Sequence, residues 1–292
     1  MCVDLSHLEV LLTIIDEGSF DGAAAVLRVT PSAVSQRIKT LEQQAGQVLV
    51  RRTKPVSATE AAIPYVQAAR QIRAVVEQTL ETTTATGQVL PPIPIAANAD
   101  SLDSWLIPAL ASVRDVATFH LVRDDQDHTA EFLRSGAVMA GITSTEVPVQ
   151  GCESTRLGVM RYIPIAHPEF VQQWLPNGLI EEAVARAPVL YFDRKDRLQH
   201  QFLATINLDH LNPPRNYIPA NGAFHEAIRQ EMGWGMVPEM LAAPMINAGE
   251  AMHLGGHVDI TLFWQQWKLS SPPLTALRSA ILDAAAYSLR IS

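Results

Sequence analysis

Apolar residues recur at helical spacing through the first 45 positions. Leu8, Leu11, Leu12 and Ile15 stand at i, i+3, i+4 and i+7, the buried stripe of a helix that Gly18 ends. Ser19 is placed to cap a second, short helix through Phe20, Ala23, Ala24 and Leu27. Thr30-Pro31 predicts a third start, with threonine as N-cap and proline at the first helical position. In that helix Val34, Ile38, Leu41 and Ala45 share one face, and Ser32, Ser35, Gln36, Lys39 and Gln43 the opposite one. Gly46 closes it, Val48-Leu49-Val50 predicts a short strand, and Arg51-Arg52-Thr53-Lys54-Pro55 forms a basic tip. Helix, helix, turn, helix and basic wing predict a winged helix-turn-helix over residues 1–58.

From Thr59 to about Thr86 the chain lacks glycine and favours helix formers, which predicts a linker helix within residues 59–90. Ala62, Tyr65, Ala69, Ile72 and Val76 are spaced 3, 4, 3, 4. That spacing suits a coiled-coil seam, and equally a stripe packed on its own domain. With Thr59 as cap, Pro64 falls past the first turn and should kink the helix or delay its start. Gly87 to Pro94, containing Pro91-Pro92, marks a domain boundary.

Beyond it the period changes. Ile93–Ala97, Phe119–Val122 and Val138–Thr143 predict strands, with one helix that Ser101 caps, through Leu102, Trp105 and Leu106, and another around Ala130, Phe132 and Leu133. This is a βαβαβ run and a parallel sheet. A second strand-rich block begins near Arg161–Ala166 and continues at Val189–Phe192, Met236 and Ile260–Trp267; a helix over Leu274–Leu289 closes the chain. In open α/β sheets ligands bind beyond the carboxyl ends of strands, here Asn98–Ser101, Thr143–Thr145, Phe192–Asp196 and Pro219–Asn221.

Charge changes the picture of the first segment. The 292 residues carry a net −8, yet in residues 1–58 six bases and six acids cancel. All six bases lie after residue 27, where Glu42 is the sole acid. A basic stretch on an acidic protein reads as a docking surface for a polyanion. On the polar face of the third helix Ser32, Ser35, Gln36 and Lys39 can meet base edges, and Gln pairs with adenine in a bidentate way. Arg37 on the flank and Arg51 and Arg52 on the wing suit phosphates.

Composition excludes other classes. The chain is 48% hydrophobic and 18% charged, enough for a core, and its longest apolar runs are far shorter than a membrane span. Met1 is followed by no basic n-region, so a cytoplasmic protein is expected. Cys2 and Cys152 cannot make a disulfide framework or zinc cluster, and Cys152 reads as a buried hydrophobe. The scattered histidines suggest no metal, and no cofactor is expected. Catalysis is not expected either: there is no G-x-S-x-G elbow or P-loop, Gly233-Trp234-Gly235 lacks a third glycine, and Asp127-His128 has no identifiable nucleophile.

Ser19-Phe20 with its alanine-rich helix, followed by Thr30-Pro31-Ser32-Ala33-Val34-Ser35-Gln36-Arg37-Ile38-Lys39-Thr40-Leu41-Glu42, resembles the DNA-binding domain of LysR-type transcriptional regulators. It departs from that pattern at Ala61-Ala62-Ile63-Pro64, in place of a glycine-containing start of the linker helix. The resemblance implies an α+β multidomain chain: winged helix-turn-helix, linker helix that pairs two copies, then a periplasmic-binding-protein-like α/β effector domain over residues 91–292. Its two subdomains would be about 93–162 plus 265–292, and about 163–264. Asn98-Ala99-Asp100-Ser101 with Trp105, Asp124 to Thr129, Gly158 to Tyr162, Phe192 to Asp196 and Gly233-Trp234-Gly235 are similar to the lysine- and arginine-responsive branch, the ArgP and LysG type.

That branch implies a regulator of amino-acid export or metabolism whose partners are double-stranded DNA, lysine or arginine, and copies of itself as homodimer or homotetramer. RNA polymerase is a conceivable further partner, and a membrane is not. A cationic amino acid needs a carboxylate for its cation, for which Asp100, Asp124 and Asp193 are candidates, and donors for its own carboxylate. Ser101, Thr143 and Ser144 are candidate donors, Asn98 stands at the same strand end, and Trp105 is a candidate pocket wall. The residues leave two alternatives open, an architectural nucleoid-type protein and an α/β enzyme with an appended DNA-binding module.

Overall fold

A computed structural model describes residues 4–81, 90–123, 129–269 and 271–291. Three helices open the chain, α1 (Leu5–Glu17), α2 (Phe20–Leu27) and α3 (Pro31–Ala45). The side chains of Asp4, Ser19 and Thr30 accept hydrogen bonds from the backbone N–H groups of Ser6, Gly22 and Ala33, so each helix starts where a cap is available. Gly18 and Gly46 end α1 and α3 in the left-handed conformation. Leu11, Ile14, Val34, Ile38 and Leu41 are buried in one core under these helices. The wing is narrower than Val48–Val50 suggested: β1 (Val50–Arg51) pairs antiparallel with β2 (Ser57–Ala58).

The linker helix starts late, one of the two outcomes expected of Pro64. A 3-10 turn at Glu60–Ala62 precedes α4 (Ile63–Glu81), so Pro64 falls in the first turn of the α-helix, where its missing N–H costs nothing. Ala62, Tyr65, Ala69 and Ile72 pack on the N-terminal core, alongside Val66, and are not a free coiled-coil seam. Only Val76 of the five is largely exposed. A 3, 4 repeat reports a stripe, not what covers it. The expected continuation of α4 towards Thr86 lies outside the described residues.

The remainder is α/β. Its elements are β3 (Pro92–Ala97), α5 (Ala99–Ser101), α6 (Ile107–Ala111), β4 (Thr118–Arg123), α7 (Thr129–Ser135), β5 (Ala140–Thr143), β6 (Cys152–Ala166), α8 (Pro168–Trp174), α9 (Glu181–Val184) and β7 (Val189–Tyr191). Then follow α10 (Leu198–Thr205), β8 (Arg215–Tyr217), α11 (Asn221–Arg229), β9 (Gly235–Pro238), α12 (Glu239–Asn247), β10 (Met252–His253), β11 (Val258–Trp267) and α13 (Pro272–Ser288). The expected parallel core is present, with β3 between β4 and β5. The sheet continues antiparallel through β11 to β6, giving seven strands in the order β10-β6-β11-β5-β3-β4 with β9 also on β6.

The long strands β6 and β11 run through both halves. At one end β11 pairs with β5 of the first lobe; beyond the register shift at Leu262/Phe263, β6 pairs with β9 and β10 of the second. The second lobe adds the parallel pair β7–β8. Gly235 is required by packing: a Cβ there would fall 2.6 Å from the Phe224 ring, which sits on α11. Cys152 is buried as expected, with its thiol pushed up to about 11 by burial. Among the described residues no helix is long and apolar enough to cross a membrane, and no His/Cys/Asp/Glu group could hold a metal ion.

Candidate functional site

Two surfaces stand out, and the first is the polar side of α3 with the wing. Burial of Val34, Ile38 and Leu41 turns Ser32, Gln36 and Lys39 outward, leaves Ser35 and Arg37 half-buried at the flanks, and exposes Arg51 and Arg52. All seven DNA-contact candidates therefore reach solvent on one module. The wing is tied to α3 by Glu42, whose Oε1 accepts the N–H of Leu49 at 2.8 Å and of Val50 at 3.2 Å. Arg52 lies 5.1 Å from the centre of the Phe20 ring, which braces the wing on α2. Glu42 stands out in the sequence only as the sole acid of a basic stretch, and its tie to the wing is not legible there because a lone acid carries no local mark of its backbone partners.

The second surface is a cavity of about 300 Å³ between the lobes of the α/β domain. It is lined from all four expected strand ends: Asn98 and Asp100 after β3, Ser144 after β5, Asp193 and Asp196 after β7, and Asn221 at the start of α11. Asp100 is its chemical centre. Its Oδ2 accepts the Tyr162 hydroxyl at 2.6 Å and its Oδ1 the Asn221 side-chain N–H at 3.2 Å. Both donors are neutral, and burial pushes the Asp100 carboxyl up to about 6. The same burial and the neighbouring carboxylate raise the Tyr162 hydroxyl well above its ordinary range, so it donates as a neutral phenol.

Other polar groups converge there. The Asn98 amide is buried, and neither its nitrogen nor its oxygen has a hydrogen-bond partner among the described residues. Buried polar groups are as a rule hydrogen-bonded, so this amide stands out on the cavity wall. Asp196 is anchored by the N–H groups of Phe192 and Leu198, with its carboxyl raised by burial, and Asp193 Oδ1 accepts from Lys195 and Asp196. His225 also lines the cavity, and burial, then Arg229, lowers its pKa. The lobes touch across the opening, where Arg123 donates to the Pro219 carbonyl at 3.2 Å and lies 5.6 Å from the Phe192 ring centre.

Three expected cleft residues take other places. Asn98, not Ser101, holds the N-cap position of the helix after β3; Ser101 lies inside the turn, fully buried off the cavity wall with its hydroxyl unpartnered among the described residues. Trp105 is buried in the core of the first lobe, so it cannot wall the cavity. Thr143 is buried, and its hydroxyl bonds the backbone of Thr145. Asp124 lies outside the described residues. Conversely, Tyr162, Asp196 and Asn221 lie in stretches that the sequence marked without being contact candidates themselves, and His225 lies outside them, because their convergence with Asp100 is made by long-range topology.

Comparison with known proteins fits both surfaces. Residues 5–63 match the bacterial regulatory helix-turn-helix proteins of the lysR family, and residues 86–286 match the LysR substrate binding domain. The chain is 43% identical over 289 residues to the lysine export transcriptional regulatory protein LysG of Corynebacterium efficiens, covering 97% of this chain and 98% of that one. It superposes on ArgP from Mycobacterium tuberculosis with a TM-score of 0.92 at 39% identity, covering 100% of both chains. Full-length LysG from Corynebacterium glutamicum with bound effector Arg gives a TM-score of 0.83 at 40% identity, covering 99% of this chain and 100% of that one. The two family matches and the relatives together span nearly the whole chain, from the winged helix-turn-helix module through the two-lobed α/β domain, and the protein belongs to the LysR family of DNA-binding transcriptional regulators.

Proposed function

We propose that this regulator responds to a basic amino acid, arginine or lysine, held between the lobes of its α/β domain. The observation that carries the reading is Asp100: a desolvated carboxylate on the cavity wall whose hydrogen-bond partners are neutral. Such a group gains most from a cation. Asn98 and Ser144 would bond the ligand carboxylate, while the far wall carries both signs of charge, Asp193 and Asp196 beside Lys195 and Arg197, which leaves Asp100 as the group that selects a cation. The LysG structure with bound Arg supports the choice of ligand, and the relatives' role in lysine export supports a role in basic amino-acid export.

In this account residues 1–58 read DNA, α4 belongs to the segment that pairs two copies, and residues 91–292 sense the metabolite. The protein works in the cytoplasm as a homodimer or homotetramer and catalyses no reaction. The effector acts by binding one arrangement of subunits better than another.

Two substitutions test the DNA half. Gln36→Ala is expected to lose about 1–3 kcal/mol of discrimination at one base pair of a selected operator. Arg51→Ala should instead weaken operator and random duplex alike and reduce the salt slope by about one phosphate contact. Binding isotherms at several salt concentrations check both. An operator preferred over random DNA by less than about 10³ would favour an architectural protein.

A further inference from the structure

The second lobe holds a second, smaller cavity of about 70 Å³ that shares part of the loop walling the first. It is built from β7, α10 and β8, and three guanidinium groups border it: Arg194, Arg197 and Arg215. Two are held over aromatic rings, Arg194 at 5.4 Å from the Tyr217 ring centre and Arg215 at 5.4 Å from that of Tyr191. The two rings are themselves in contact, with centres 5.8 Å apart. Stacking fixes the plane of a guanidinium and leaves its N–H edge for a planar or tetrahedral oxyanion.

Charge and size narrow the ligand. Among the described residues none of the three arginines is in an ion pair; Arg215 donates only to the side-chain oxygen of Asn212. Two carboxylates, Asp193 and Asp196, share the rim; the loop's own N–H groups bond both oxygens of Asp196 and Oδ1 of Asp193, and the three guanidinium groups outnumber the two acids. His200 adds a further nitrogen. A cavity this small is far below the roughly 300–1,000 Å³ that organic ligands occupy.

We propose that the cavity bordered by Arg194, Arg197 and Arg215 binds a small tetrahedral oxyanion of the phosphate class. It is separate from the amino-acid cavity and of opposite preference, since the ligand is an anion. The two share the loop residues Asp193, Asp196 and Arg197 as a common wall.

The test is calorimetric titration of the full-length protein with inorganic phosphate, without amino acid, against sodium chloride at matched ionic strength. Saturable binding to phosphate but not chloride is expected. Sulfate should compete, whereas a phosphate monoester that binds at least tenfold tighter would identify an esterified ligand of the same class. The double variant Arg194→Gln/Arg215→Gln should bind at least tenfold more weakly, while Arg186→Gln, an exposed arginine elsewhere on the lobe, should match wild type. Phosphate heats no different from chloride, or undiminished binding in a folded double variant, would overturn the proposal. Should the double variant fail to fold, the wild-type comparison and Arg194→Gln alone decide. Because no amino acid is present, failure here leaves the reading of the larger cavity untouched.

Discussion

Asp100→Asn is expected to weaken arginine binding by about 100-fold or more while making the unliganded protein more stable. Truncating one partner of a buried charge pair costs about 2–5 kcal/mol, because the ligand's cation is left desolvated without its counter-charge. The gain in stability follows from the same burial. The folded carboxyl titrates near 6 against an ordinary 3.8, so the folded state holds its proton more tightly than the unfolded chain. Stability therefore falls as pH rises from about 4 to about 6 and is level above, a cost of up to about 3 kcal/mol at neutral pH. The asparagine variant escapes that cost and should lose the pH-dependent step. In the wild type, arginine affinity should be flat above pH 6 and drop about tenfold per unit below it, as protonation removes the counter-charge. Calorimetry across pH 4.5–8 with parallel thermal melts reads both effects, and affinity unchanged in the variant would place the ligand's cation elsewhere.

Glu42→Ala should unfold the wing. The substitution leaves the N–H groups of Leu49 and Val50 without their acceptor, and hydrogen bonds to a charged group are worth about 1.5–3 kcal/mol each. A loss of about 3 kcal/mol from the N-terminal module is expected, together with weaker binding to every duplex. Base preference should survive, since the outward side chains of α3 remain. Removing a negative charge beside DNA would by itself tighten binding, so Glu42→Gln separates the two effects. It keeps an acceptor, and should hold the fold and bind DNA at least as tightly as wild type. A melt of Glu42→Ala indistinguishable from wild type would show that the wing needs no such tie.

What could be read from the residues followed how local the determinant was. Caps at Ser19 and Thr30, stops at Gly18 and Gly46 and the buried face of α3 are set within one or two turns, and all stand where the pattern put them. The strand ends that converge on the cavity were also legible, because hydrophobic runs that stop at polar residues mark them. The long strand β6 was seen only from Arg161 although it begins at Cys152, since Glu153, Ser154, Thr155 and Arg156 interrupt the apolar run. Trp105 and Thr143 were misplaced for another reason: residue type near a strand end does not say which way a side chain turns. The bond of Tyr162 to Asp100 joins positions 62 residues apart, and that of Asn221 joins positions 121 apart. No local pattern encodes either.

The central claim, that the inter-lobe cavity selects a cationic side chain, is tested most directly by titrating the full-length protein with L-arginine, L-lysine and L-citrulline. Citrulline keeps arginine's shape, its α-amino group and its carboxylate but carries a neutral side-chain end. The account predicts saturable binding of arginine or lysine and binding of citrulline at least about 100-fold weaker, the cost of leaving the Asp100 carboxylate without a counter-charge. Citrulline binding as tightly as arginine would contradict it.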